Sequence, residues 1–124
     1  MGKMEALCKL RDIYRAIASF EVMFEEKYHL ILNEGMLLCS LSKRGSLQAG
    51  EISDLLGVTH SNASKLIRSV EDKELIERVL GKVDKRQMHF SLSEKGKRVS
   101  ADIKCGEMEL PAILQEAVKC DAAK

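Results

Sequence analysis

Tryptophan is absent, proline occurs once, and aromatic residues make up only 4% of the 124 residues. With so few rings, the core must come mainly from Leu, Ile, Val, Met and Ala, and a lone proline leaves long helices uninterrupted. No run of about 18 apolar residues occurs, which excludes a membrane-spanning helix. The segment Met1 to Leu10 carries charge throughout and lacks the apolar core of a secretory signal, so a cytoplasmic location is expected. No glycine-rich phosphate loop, nucleophile elbow or pair of catalytic carboxylates is present, so no catalytic residues and no cofactor are expected. His29, His60 and His89 show no ligand spacing with Cys or acidic residues, which argues against a metal site. Cys8, Cys39, Cys105 and Cys120 are scattered and read as free thiols of a reducing compartment.

What is present is an ordinary globular chain of single-domain length, 45% hydrophobic. The net charge is +1, but it is unevenly spread. Residues 59–98 carry an excess of four positive charges, while residues 1–58 and 99–124 are mildly acidic. That is the layout of a chain whose middle meets an anion such as a phosphate backbone and whose ends meet something else. A solvated surface would look the same.

The first segment, from about Met4 to Tyr28, reads as one long helix. Leu10, Ile13, Tyr14, Ile17, Phe20 and Phe24 recur at steps of three and four, forming a stripe that must be buried against its own domain or a second subunit. After a connection at residues 29–32, Asn33 is the expected cap of a second helix, with Glu34 in its first turn and Gly45 at its end. A third helix, about Gln48 to Leu56, buries Ile52, Leu55 and Leu56 and stops at Gly57. Thr59 caps a fourth helix with Ala63, Leu66, Ile67 and Val70 inside. Two helices joined by so short a turn, with glycine at the break, match a helix-turn-helix.

Beyond Leu75 the period changes to alternation. Residues 76–80 and 87–92 pair as a β-hairpin around the charged turn Gly81-Lys-Val-Asp-Lys-Arg86. Ser93 caps a fifth helix, and Pro111 suits the first turn of a last one. The expected fold class is therefore mainly α with a small β-hairpin wing, a winged helix-turn-helix. Residues 1–124 are expected to form a single domain, with 33–92 as the winged-helix core and 1–28 and 99–124 as flanking helices.

The run Gly45-Ser-Leu-Gln-Ala-Gly-Glu-Ile-Ser-Asp-Leu-Leu-Gly-Val-Thr-His-Ser-Asn-Ala-Ser-Lys65, continuing through Leu66 to Ile76, resembles the MarR family of transcription regulators. Asp84-Lys-Arg86 resembles the family's Asp-x-Arg in the wing, and Leu92-Ser-Glu-Lys-Gly96 its Leu-Thr-x-x-Gly. Three departures stand out: Gln48 replaces a Ser or Thr cap, Glu74 replaces a closing Gly, and the wing is short. The resemblance implies a homodimeric repressor that binds a pseudo-palindromic operator in double-stranded DNA, with 1–28 and 99–124 as its dimerisation helices. It also implies a small-molecule effector that releases the DNA.

On that reading the fourth helix, residues 59–73, enters the major groove. Thr59, His60, Ser61, Asn62 and Ser64 would meet base edges or phosphates, with Lys65 and Arg68 a turn further along. In the wing at residues 81–86, Lys82, Lys85 and Arg86 are candidates for DNA contact. Arg86 has a second reading, in which it pairs with Asp84 and holds the turn. Two other functions stay open from the residues alone: a winged-helix module that binds protein, and a redox-sensing regulator working through Cys8.

Overall fold

The computed structural model describes residues 2–81, 87–105 and 110–118. In chain order the elements are α1 (Lys3–Tyr28), α2 (Leu32–Arg44), α3 (Ala49–Leu56), α4 (His60–Asp72), β1 (Ile76–Leu80), β2 (Met88–Leu92), α5 (Glu94–Cys105) and α6 (Ala112–Ala117). The fold is mainly helical with one antiparallel hairpin, in agreement with the expected class. The chain divides into two compact units, Leu32–Gly106 and Met1–Ile31 with Glu107–Lys124.

The core of the unit Leu32–Gly106 is aliphatic, as the shortage of rings requires. Leu37, Leu38 and Leu41 of α2, Ile52 of α3, and Ala63, Leu66, Ile67 and Val70 of α4 are buried together with Ile76, Phe90 and Leu92 of the hairpin. Apart from Ala63, each such side chain contributes roughly 1.5–3 kcal/mol by leaving water. The hairpin register pairs Ile76 with Leu92, Arg78 with Phe90 and Leu80 with Met88. Leu47, in the connection between α2 and α3, exchanges two backbone hydrogen bonds with Phe90 (3.0 and 2.8 Å), so the sheet is tied to the helices.

Two expectations are corrected. Asn33 is not the cap of α2, because the helix already begins at Leu32 and Asn33 lies in its first turn. Leu55 is not buried but 45% exposed, and Ser53 takes its place inside. The buried residues of the eight-residue α3 are Ile52 and Ser53, about 100° apart around the helix, so its inward edge is turned away from Leu55, and Leu56, also expected inside, is only half-buried.

The turn positions behave as glycine and its substitutes must. Gly57 takes φ 66°, and its amide reaches back to Asp54 O. Glu74, in place of the family's glycine, adopts the same left-handed region at φ 63°. The local chain path is thus kept without glycine, at the cost of crowding between Cβ and backbone.

In the other unit, α6 packs on α1. Rings stack along α1 from Phe20 to Phe24 to Tyr28, with centroids 6.1 and 5.0 Å apart. Phe24 and Leu114 are buried, but most of the expected stripe is not. Leu10 and Tyr14 are exposed, Tyr14 at 76%, and Met4 and Leu7 are exposed beside them.

Candidate nucleic-acid interface

The helix-turn-helix begins with capping at two positions. At the start of α3 the Glu51 carboxylate accepts from the backbone amide of Gln48 at 2.9 Å. A glutamine at the cap is therefore served by the glutamate three residues on. At the start of α4 the Thr59 hydroxyl oxygen accepts from the Asn62 amide at 3.1 Å. This fixes the helix end and leaves its unsatisfied amides pointing outward, with the positive end of the helix dipole among them.

The inner face of α4 is sealed, so its side chains are sorted by side. Ala63, Leu66, Ile67 and Val70 face the core, while Thr59, His60, Ser61, Asn62, Ser64, Lys65 and Arg68 are all exposed. Those seven expected contacts therefore share the solvent side of one capped helix. His60 has a second attachment, since its Nδ1 lies 3.5 Å from Oγ of the buried Ser53. Lys82, Lys85 and Arg86, the wing candidates, lie outside the described residues. At the base of the wing, Gly81 donates to Gln87 O at 2.8 Å and closes the hairpin.

Two groups to which the sequence assigned no anchoring role hold α4 in place. The first is Glu34, which is 1% exposed. Its carboxylate accepts from Ser69 Oγ at 2.7 Å and from Lys73 Nζ at 2.8 and 2.9 Å. A buried carboxylate is tolerated only with such partners. Both donors sit on the last turn of α4 or its cap, so α2 grips the far end of the helix whose near end carries the polar face.

The second group is Glu71 with Arg78. Arg78 donates from Nε and Nη2 to the two carboxylate oxygens at 2.7 and 3.0 Å, a fork geometry. Its guanidinium lies over the Phe90 ring, 5.6 Å from the centroid. The hydrogen bonds from Arg78 hold the Glu71 carboxyl below the usual carboxylate range, against the opposing effect of burial. The pair joins α4 to β1 across a surface hollow lined by Ala49, Ser64, Ile67, Arg68, Glu71, Arg78 and Phe90.

The Leu92-Ser-Glu-Lys-Gly96 piece also acquires a physical meaning. The Ser93 amide donates to Leu75 O at 3.0 Å, and its hydroxyl donates to Glu74 O at 2.6 Å. The same hydroxyl accepts from the Gly96 amide at 3.0 Å, which makes Ser93 the cap of α5 as expected. A Cβ at Gly96 would collide with the Leu75 carbonyl oxygen. The motif thus clamps the end of the recognition segment to the start of α5.

No local signal marks Glu34, Glu71 or Arg78. Glu34 finds partners 35 and 39 residues away, and Glu71 meets Arg78 only because a helix and a strand fold back on one another.

The pattern of the MarR family matches residues 30–88, the span that holds these helices and the first part of the hairpin. A curated relative, the uncharacterised HTH-type transcriptional regulator YwaE of Bacillus subtilis (strain 168), is 26% identical over 104 residues. The match covers 81% of this chain but 61% of YwaE, so the chain spans under two thirds of that relative's length. Among solved structures, a mutant MarR from E. coli complexed with operator DNA superposes with a TM-score of 0.71 at 18% identity, covering 93% of this chain and 83% of that one. The S. aureus MepR–DNA complex gives 0.61 at 22% identity, covering 87% and 83%. The winged helix-turn-helix fold is shared along most of the chain, and the pattern of the MarR family runs through its centre, over residues 30–88.

Proposed function

We propose that the protein is a DNA-binding transcription regulator, a homodimeric repressor acting in the cytoplasm without catalysis of its own. The observation that carries this reading is the two-sided α4. Its apolar side is sealed into the core, its two ends are fixed by Thr59 and Glu34, and its free side presents Ser61, Asn62, Ser64, Lys65 and Arg68. A helix presented this way fits the major groove, with its N-terminal residues on base edges. The wing bearing Lys82, Lys85 and Arg86 would reach the adjacent minor groove, where guanidinium is favoured in narrow segments. The DNA-bound MarR and MepR structures of the same fold support this reading. A small-molecule effector that releases the operator is the control the family resemblance implies.

The test is selection of bound duplexes from a random DNA pool. The expected product is an inverted repeat with half-sites about one helical turn apart. Arg68→Ala should then weaken binding to that duplex and flatten its dependence on salt. A pool with no enriched sequence, or one enriched for a single unrepeated site, would count against a symmetric operator-binding regulator.

A further inference from the structure

We propose that Arg78 is a DNA phosphate contact held in position by Glu71, in the hollow that also contains Ser64 and Arg68. This rests on the DNA-binding reading above and extends it to a residue outside the helix-turn-helix and the wing tip.

The geometry supplies the argument. Arg78 stands on β1, yet it lines the same hollow as two residues of the exposed α4 face. Its guanidinium has five N–H donors, and the fork on Glu71 occupies only Nε and one Nη2 proton. The remaining donors, on Nη1 and the far side of Nη2, stay available on a side chain that is 58% exposed. Phe90 supports one face of the group, so the donors are fixed in direction before any ligand arrives. Preorganisation of this kind removes part of the ordering cost of binding.

Charge points the same way. Arg68 and Arg78 flank a single carboxylate, so the hollow retains one excess positive charge and suits an anion between α4 and the base of the wing. The Nε edge is already taken, and the free Nη1–Nη2 end stands on β1, outside the helix that would meet base edges in the major groove. A phosphate, which accepts donors from many directions, fits the remainder. A purely structural pin between α4 and β1 would use the same fork but would not need the exposed donors, so the two roles differ in what salt does to them.

The experiment measures binding as a function of salt for two duplexes of equal length, one enriched from a random pool and one of random sequence. Arg78→Gln should weaken both by roughly tenfold and lower the salt slope by about 0.9 per protomer bound. Glu71→Gln removes a negative charge near DNA, yet it should weaken binding several-fold, because Arg78 loses its orientation. In the Arg78→Gln background the Glu71 change should cost nothing more. Arg78→Lys keeps the charge without the fork, so it should retain the salt slope while losing affinity. It also provides the measurement if the Gln variant does not fold.

An unchanged slope in Arg78→Gln overturns the contact, and wild-type affinity in Arg78→Lys at every salt concentration overturns the need for the fork that orients it. Equal or tighter binding by Glu71→Gln overturns the positioning role. If the wild-type chain binds neither duplex, the DNA reading itself falls and this inference falls with it.

Discussion

Glu74 holds φ at 63°, a conformation in which the Cβ of any L-residue crowds the adjacent backbone. Its side chain is exposed, while its carbonyl accepts the Ser93 hydroxyl. Among the described residues, no hydrogen bond or ion pair uses the carboxylate at this position. Glu74→Gly should therefore stabilise the protein by about 1 kcal/mol, the steric relief outweighing the added freedom of the unfolded chain. Urea denaturation checks this, and an unchanged or lower midpoint at constant slope contradicts it. Gly96 is the opposite case. Its missing Cβ leaves room for the Leu75 carbonyl, so Gly96→Ala forces backbone apart and should destabilise by about 1–3 kcal/mol. Because Leu75 closes the recognition segment, the same variant should also lose DNA affinity beyond what its lowered melting temperature explains.

At the scale of elements, α4 was the most legible part of the sequence. Its period placed Ala63, Leu66, Ile67 and Val70 inside, Thr59 at its cap and Gly57 before it, and all of these stand so in the structure. Capping and periodicity are local, and local rules reach about four residues along the chain. They failed where the tertiary environment decides. Leu55 fits the apolar template but is left outside, because α3 turns Ser53 inward instead. Glu34 looked like an ordinary first-turn acid and proved to be a buried anchor for Ser69 and Lys73.

That anchor is open to test. Lys73→Met removes the ammonium partner from a carboxylate that is 1% exposed and should destabilise by about 1–3 kcal/mol, at the low end because Lys73 is partly solvated. Glu34→Gln in the same background should recover part of the loss, which a non-specific packing defect would not allow.

The contact of α4 with the hairpin carries a pH signature. Glu71 has its carboxyl lowered in the folded state, chiefly by the hydrogen bonds from Arg78. A depressed carboxyl stabilises fully above the ordinary glutamate range and loses that contribution as pH falls through its folded value. The stability difference between wild type and Glu71→Gln should thus be constant from neutral pH to about pH 5 and shrink below about pH 4. A difference that persists in acid would mean that the charge of Glu71 is not what holds Arg78.

At the scale of the molecule, the charge layout and the exposed stripe of α1 describe a division of labour. The excess of positive charge lies in residues 59–98, and the large exposed apolar side chains Met4, Leu7, Leu10, Tyr14 and Ile17 lie on α1, in the other unit. They recur at steps of three and four, so they form one face of a 26-residue helix. A continuous apolar face of that length on a single chain is the usual mark of an interaction surface. A second copy of α1 is the partner that the dimer reading requires, because two recognition helices must be held at a fixed separation to read an inverted repeat. The sequence disclosed Leu10, Tyr14 and Ile17 of this stripe, but neither Met4 and Leu7 nor its exposure, since a period of 3.6 is the same whether the face packs inside one chain or between two. Replacing Leu7 and Leu10 together with Glu places charge in the middle of that face while leaving the unit Leu32–Gly106 untouched. Sedimentation should then shift from dimer to monomer at micromolar concentration. The isolated half-site should be bound nearly as well as before, and the inverted repeat should lose its advantage over the half-site. A double variant that remains dimeric and still prefers the repeat would place the subunit contact elsewhere and leave the α1 face to a different partner.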